Sequence, residues 1–375
     1  MAELPAIDLE TVRAGLPALA SLAYLNTGTQ GPLPAAAAQA MREAVDEDER
    51  RGRISAKRFE KIEQQLAECR ALMGAMVGVA AGRIALTGGT VDGVRAVLER
   101  LDLARADRVV TTSLEHPAAV APLAQLAARR GLQVETVGIA TGATDVQIVA
   151  DFGDALAAGA KLVLVSHVAY STGRLLPVAG IAKAAHAAGA LVLVDGAQAV
   201  GAIGVGLAET GADFYAFPGQ KWLLGPEGAG ALAVAQDAQP QLCEDLSELE
   251  RGIASKPVWA GMRAALAWRR SLGGEAELSQ LIAGNAVRLR ARLAAISGVE
   301  VVTPAPAAGI VTFGMDGVPA RALVAQLGAR RLGVRDVPGT EWVRVSCGFF
   351  NTEVEFDAVA ETVAELWRRR GMVAA

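Results

Sequence analysis

Short apolar runs rich in β-branched residues recur between Ile84 and Phe217, and they alternate with segments whose apolar residues fall at helical spacing. The runs are Ile84-Ala85-Leu86, Arg108-Val109-Val110, Val134-Glu135-Thr136-Val137, Leu162 to Val165, Leu191 to Val194 and Phe214 to Phe217. The segments between them include Val91 to Leu101, Pro117 to Arg130 and Val178 to Ala188. Parallel neighbours need long crossovers, so strand and helix in alternation predict a mostly parallel sheet covered on both faces, an α/β fold. Before this block the spacing predicts helices over residues 1–20, 35–50 and 56–76. Past Trp259 the pattern changes to helices at 257–271, 274–296 and 318–330, strands near 299–302, 310–313, 332–334 and 342–345, and a terminal helix from Glu353. That predicts a large domain at 20–260 and a smaller α+β domain at 261–375 joined by residues 1–19.

Composition removes several function classes. A net charge of −4 leaves no electrostatic footprint for nucleic acid. No stretch reaches the ~18 uncharged apolar residues of a membrane span. Met1-Ala2-Glu3-Leu4-Pro5 lacks the basic and apolar regions of a secretion signal. Cys69, Cys243 and Cys347 have no metal-like spacing, so no metal site is expected and a reducing, cytoplasmic setting is.

Chemistry concentrates where the apolar runs end. Leu191 to Val194 ends in Asp195, which puts a carboxylate at the edge of an open sheet where ligands bind. Asp213 to Phe217 leads through Pro218-Gly219-Gln220 to Lys221, a lone lysine ahead of the glycine-rich turn Gly225 to Gly230. Burial there lowers a lysine pKa. A buried acid and a lysine on neighbouring strands suit pyridoxal phosphate, whose aldehyde takes an amine and whose ring nitrogen takes an anion. An internal Asp-Lys ion pair fits these two residues equally well.

The other candidates each carry a plainer reading too. Gly88-Gly89-Thr90 opens a helix, where backbone N–H groups converge on an anion, but it also reads as an ordinary turn and cap. His116 precedes Pro117 on a strand-to-helix loop and can stack on an aromatic cofactor or simply be solvated. Arg344, inside Val343-Arg344-Val345, needs a partner, either a substrate carboxylate or an internal acid. Cys347 lies an odd number of residues beyond Arg344, on the opposite face of an extended strand, and reads as buried and inert.

Taken in order, Tyr24-Leu25-Asn26 with Gly31-Pro32, Gly89-Thr90, Glu115-His116, Ser166-His167-Val168 with Thr172-Gly173, Asp195-Gly196-Ala197-Gln198, Gly219-Gln220-Lys221-Trp222 with Gly225-Pro226, and Arg344 with Asn351-Thr352-Glu353 resemble the class V aminotransferase family. The likeness runs from about Tyr24 to Asp357. It is to the branch that includes cysteine desulfurases, isopenicillin N epimerase and cysteine or cystine C–S lyases. The resemblance implies a fold type I pyridoxal phosphate enzyme with a mostly parallel seven-stranded sheet, acting on a small amino acid as a homodimer. It implies that Lys221 bonds to the cofactor aldehyde, Asp195 pairs with the ring nitrogen and His116 stacks on the ring. Gln198 would bond the phenolic oxygen, Gly89, Thr90 and Gln220 would hold the phosphate, and Arg344 with Asn26 would bind substrate.

The departures are specific. Pro218, Gln220 and Val91 stand where the family has phosphate-binding side chains, Tyr170-Ser171 replace a frequent Asn, and Ile253 replaces a Thr offered to the partner subunit, with Ser255 as a substitute. They predict a weaker grip on phosphate, or, in a second reading, a family member that handles sulfur or a partner without efficient cofactor binding. The desulfurase branch needs a cysteine on a loop before Arg344, and Asp336 to Glu341 has none. The turn-rich segment Leu25 to Pro34 and the missing cysteine most resemble the C–S lyases, so the expected reaction is β-elimination at a C–S bond, with epimerisation, transamination and desulfuration as alternatives.

Overall fold

The computed structural model describes residues 7–250, 255–305 and 308–373. A short helix, Leu9–Ala14, and strand β1 (Ala23–Tyr24) precede two long helices, Ala35–Arg51 and Ala56–Met76. Within residues 7–20 the predicted helix is one piece, Leu9–Ala14, and a 3-10 turn at Pro17–Ala20, while residues 1–6 lie outside the described residues. The reason is local, because Leu16 precedes Pro17 and takes φ −121°, ψ 80°, outside the helical region.

The central sheet has 7 strands in the order β2-β8-β7-β6-β5-β3-β4. They are β2 (Ile84–Thr87), β3 (Arg108–Thr112), β4 (Gln133–Val137), β5 (Leu162–Ser166), β6 (Leu191–Asp195), β7 (Phe214–Pro218) and β8 (Gly230–Val234). From β4 across to β7 every pairing is parallel. β8 runs antiparallel to both β2 and β7, because the connection from Gly219 to Ala229 is too short to cross over and folds back, with Gly219 N–H donating to Ala229 O at 2.7 Å.

Alternation along each strand sorts the core into two layers. Val163, Val165, Val192 and Val194 face Ile148, Phe152 and Ile181, while Leu162, Leu164 and Leu193 face Val94, Leu98, Leu123 and Leu126. Asp195 shares the parity of Leu193. It therefore points to the side covered by helices Thr90–Arg100 and Pro117–Arg130, whose N-termini carry Gly89 and His116.

A second sheet, order β12-β13-β10-β9, is wholly antiparallel and comprises β9 (Val299–Val301), β10 (Ile310–Met315), β12 (Arg335–Asp336) and β13 (Val343–Ser346). Its core of Leu289, Phe313, Leu323, Val345, Cys347 and Phe356 lies against helices Glu275–Ala294, Ala320–Ala329 and Glu353–Val373. β1 pairs in parallel with β11 (Leu332–Gly333), which ties the segment after residue 22 to this second unit.

One buried cation joins the long helix Lys256–Ser271 to the lysine loop. Arg269, 0% exposed, pairs with Glu275 at 2.7 Å and donates to Trp222 O at 2.9 Å and Gly201 O at 2.8 Å. Removing it leaves two buried carbonyls without their donor and the part-exposed Glu275 without its partner. Arg269→Met is expected to lower unfolding stability by about 2 kcal/mol, read as a shifted urea midpoint, as for other buried acceptors left unsatisfied. An unchanged midpoint would show that these contacts carry no net energy.

Candidate active site

The carboxyl ends of β2, β3, β5, β6 and β7 open on one cavity of about 360 Å³, closed from the other side by Gly28, Thr29, Arg335 and Arg344. Asp195, Lys221, His116, Gly89, Thr90, Gln198, Gln220 and Arg344 all line it. These residues are far apart in the chain, and the parallel strands bring them to one edge. Asn26 does not line the cavity; it stands one step behind Thr29, accepting its hydroxyl proton at 2.8 Å.

Asp195 is 4% exposed and accepts the Ala197 N–H at 2.8 Å. Burial raises its pKa, opposed by the nearby Lys221 charge. Lys221 is half-buried, and burial lowers its pKa to about 8 against the pull of Asp195 the other way; Arg344 and Arg335 push it down further. His116 caps helix Pro117–Arg130, its Nδ1 accepting Ala118 N–H at 3.1 Å, which requires an unprotonated nitrogen there. Burial first, then Lys221, takes its pKa down to about 4. Its ring meets Tyr170 edge-on at 4.6 Å.

At the Gly89 end the helix Thr90–Arg100 starts without a side-chain cap. Gly89 has φ 150°, open only to glycine, and a Cβ on Gly230 would stand 2.6 Å from Gly89 Cα, so the backbone angle requires the first glycine and close backbone passage the second. Thr90 Oγ1 and Gln220 Oε1 are buried and lack a hydrogen-bond partner. The orphaned Thr90 hydroxyl beside uncapped helix N–H groups fits a phosphate, and Gln220 would serve it only with its amide nitrogen turned toward the site. Pro218, at the end of β7, and Val91 also face the cavity and offer no side-chain donor. Arg251, Gly252 and Ile253 lie outside the described residues.

At the opposite end Arg344 is 2% exposed and makes no ion pair among the described residues. It donates from Nη1 to Tyr170 O at 3.0 Å and from Nη2 to Thr29 Oγ1 at 2.8 Å, and its Nε has no partner. The internal salt bridge open at the level of sequence is therefore not formed. Burial, with Arg335 beside it, brings its pKa down to about 9. Gln198 is already engaged twice, donating to Gly28 O at 2.8 Å and accepting from Trp222 Nε1 at 2.9 Å, which leaves it one amide hydrogen to offer.

Sequence reasoning did not single out Arg335 or Thr29. Arg335 sits in a two-residue strand, and only the antiparallel register that places it opposite Arg344 brings it here. Glu115, beside His116, is a further buried acid, accepting from Thr112 Oγ1, Ser166 N and Ser166 Oγ; burial raises it to about 7. No cysteine lines the cavity. Cys347 is 0% exposed in the core of the second sheet, and burial pushes its thiol pKa up.

The buried carboxylate and half-buried lysine, the orphaned hydroxyl at one end and, at the other, a guanidinium with no ion pair among the described residues together fit pyridoxal phosphate and an amino acid. Comparison with known proteins agrees. The model of the family Aminotransferase class-V matches residues 23–359. A probable cysteine desulfurase of Methanothermobacter thermautotrophicus is 27% identical over 95% of this chain and 98% of its own length. Isopenicillin N epimerase of Amycolatopsis lactamdurans is 28% identical over 91% and 94%. Among solved structures, the cystine C–S lyase C-DES with its product cysteine persulfide superposes with a TM-score of 0.89 at 27% identity, covering 93% of this chain and 99% of that one. A lysine-to-alanine mutant of C-DES, with glycine covalently linked to its PLP cofactor, gives 0.90 at 27% identity, covering 94% and 98%. The chain belongs to the class V aminotransferase family.

Proposed function

We propose that this chain is a pyridoxal phosphate enzyme that eliminates a sulfur group from Cβ of cysteine, cystine or a related amino acid. The observation that carries this reading is a cavity with a half-buried lysine, a buried aspartate and an arginine that meets no carboxylate among the described residues, but without a cysteine. Persulfide-forming desulfuration needs a thiol at the substrate, and Cys347 is enclosed in another core. Elimination needs only a base, an electron sink and a carboxylate clamp.

In this reading Gly89, Thr90 and Gln220 would hold the cofactor phosphate, more loosely than donor side chains in place of Pro218 and Val91 would. His116 would stack on the ring, Gln198 would offer its free amide hydrogen to the phenolic oxygen, and Asp195 would pair with the ring nitrogen. The bound cofactor supplies the electron sink. Arg344 holds the substrate carboxylate, and Lys221 as a neutral amine takes the proton from Cα. The Cβ–S pair leaves with sulfur, and water converts the remaining enamine to pyruvate and ammonia. The large domain would span 20–260 and the small one 261–375 with 1–19. We further read the enzyme as a cytoplasmic homodimer that binds no nucleic acid; no described helix is long and apolar enough to cross a membrane.

The reaction is tested by incubating the protein and pyridoxal phosphate with L-cystine and L-cysteine while pyruvate, racemised substrate and keto acid are followed in parallel. Pyruvate with sulfur release is expected, and Cys347→Ala should retain it. Loss of turnover in Cys347→Ala to the level of Lys221→Ala would favour desulfuration instead.

The amine of Lys221 attacks the aldehyde only when unprotonated, and its pKa is lowered to about 8. The rate at which cofactor-free protein takes up pyridoxal phosphate should therefore rise with pH and level off above about 8, not near the ~10.4 of an ordinary lysine. Because the Asp195 charge holds the lysine pKa up, Asp195→Ala should move this midpoint lower; a move upward would contradict the assignment.

A further inference from the structure

We propose that Thr29 is a positioning residue that aims both cavity arginines at the substrate carboxylate, and that Asn26 fixes the direction of its hydroxyl proton. The proposal rests on Arg344 being the carboxylate site. Thr29 Oγ1 accepts from Arg344 Nη2 at 2.8 Å and from Arg335 Nη1 at 3.2 Å, and donates to Asn26 Oδ1 at 2.8 Å. A hydroxyl has two lone pairs and one proton. The guanidinium groups take both lone pairs, so the proton has one destination, and Asn26 must present its carbonyl oxygen rather than its amide nitrogen.

The supporting frame is rigid. Asn26 bridges to Ser346 on the strand that carries Arg344, and its carbonyl accepts Thr29 N–H at 2.9 Å. Arg335 and Arg344 face each other across β12 and β13. Two adjacent cations repel, and neither has an ion-pair partner among the described residues. The hydroxyl oxygen between them offsets this and holds both on one point, so an incoming carboxylate meets donors already aimed. Thr29 thus acts on substrate through the arginines. Valine at this position keeps the shape but leaves two guanidinium donors and the Asn26 oxygen unmatched.

The test compares Thr29→Val, Thr29→Ser, Asn26→Leu and Arg344→Ala in the cofactor-loaded enzyme, using KM and kcat for L-cystine and competition by propionate, which offers a carboxylate alone. Thr29→Val should raise KM about tenfold, as expected for lost hydrogen bonds to charged groups, with kcat changed less than about twofold. Propionate inhibition should weaken in parallel, the cofactor absorption band should stay, Asn26→Leu should follow Thr29→Val, and Thr29→Ser should recover most of the affinity. If Arg344→Ala raises KM and Thr29→Val does not, the positioning role is overturned. If Thr29→Val loses kcat and cofactor and Thr29→Ser fails to restore them, the residue is structural and the proposal also falls. If Arg344→Ala itself leaves KM unchanged, the carboxylate assignment is at fault, and the proposal falls with it.

Discussion

The structure turns on bringing Lys221 and Asp195 into one enclosed space without neutralising either by an ordinary surface contact. Burial alone pulls the lysine toward its neutral form and the carboxylate toward its protonated one, and each opposes the other's shift. The lysine settles near the pH at which it can serve as amine or base. This balance needs both residues at the same sheet edge, which parallel β6 and β7 supply, and a lysine loop held from behind. Arg269 grips that loop through Trp222 O, and Gly31 N–H donates to Gln220 O at 2.7 Å from the front, with Gly31 pressed against Lys221 O.

The segment that supplies Gly31 serves both halves of the site. Its start pairs with β11 of the second unit, its middle presents Gly28 O to Gln198 and Thr29 to the two arginines, and its end touches the lysine loop. The proposed cofactor end and the proposed carboxylate end are therefore linked by a few residues of backbone. The arginines add to the electrostatics, since their charge lowers both His116 and Lys221. A cavity with two cations that have no ion-pair partner among the described residues favours an anionic substrate and, until one arrives, a neutral lysine.

Much of this was legible in the chain because strand and helix periods are local properties. The strands from Ile84 to Phe217, and the residues at their ends, follow from runs such as Leu191 to Val194. β8 was not anticipated because Gly-Ala-Leu-Ala-Val has little strand character of its own; burial on both faces between β2 and β7 makes it a strand. The helix Asp145–Leu156 likewise went unnamed, although its Thr144–Gln147 capping box was a readable signal. Arg335 and Thr29 were hidden for a different reason. Their roles depend on a register between distant segments, and Arg335-Asp336 alone looks like a solvated pair. Asn26, expected to bind substrate, stands behind the cavity wall, against Thr29, and not in it.

The most direct test of the account is where the cofactor attaches. The protein loaded with pyridoxal phosphate, reduced with borohydride and digested, should carry the added cofactor mass on the peptide containing Lys221 and nowhere else at stoichiometric yield. Labelling of another lysine such as Lys183 or Lys256, or no labelling at saturating cofactor, would contradict the claim that the Lys221–Asp195 cavity is the catalytic centre.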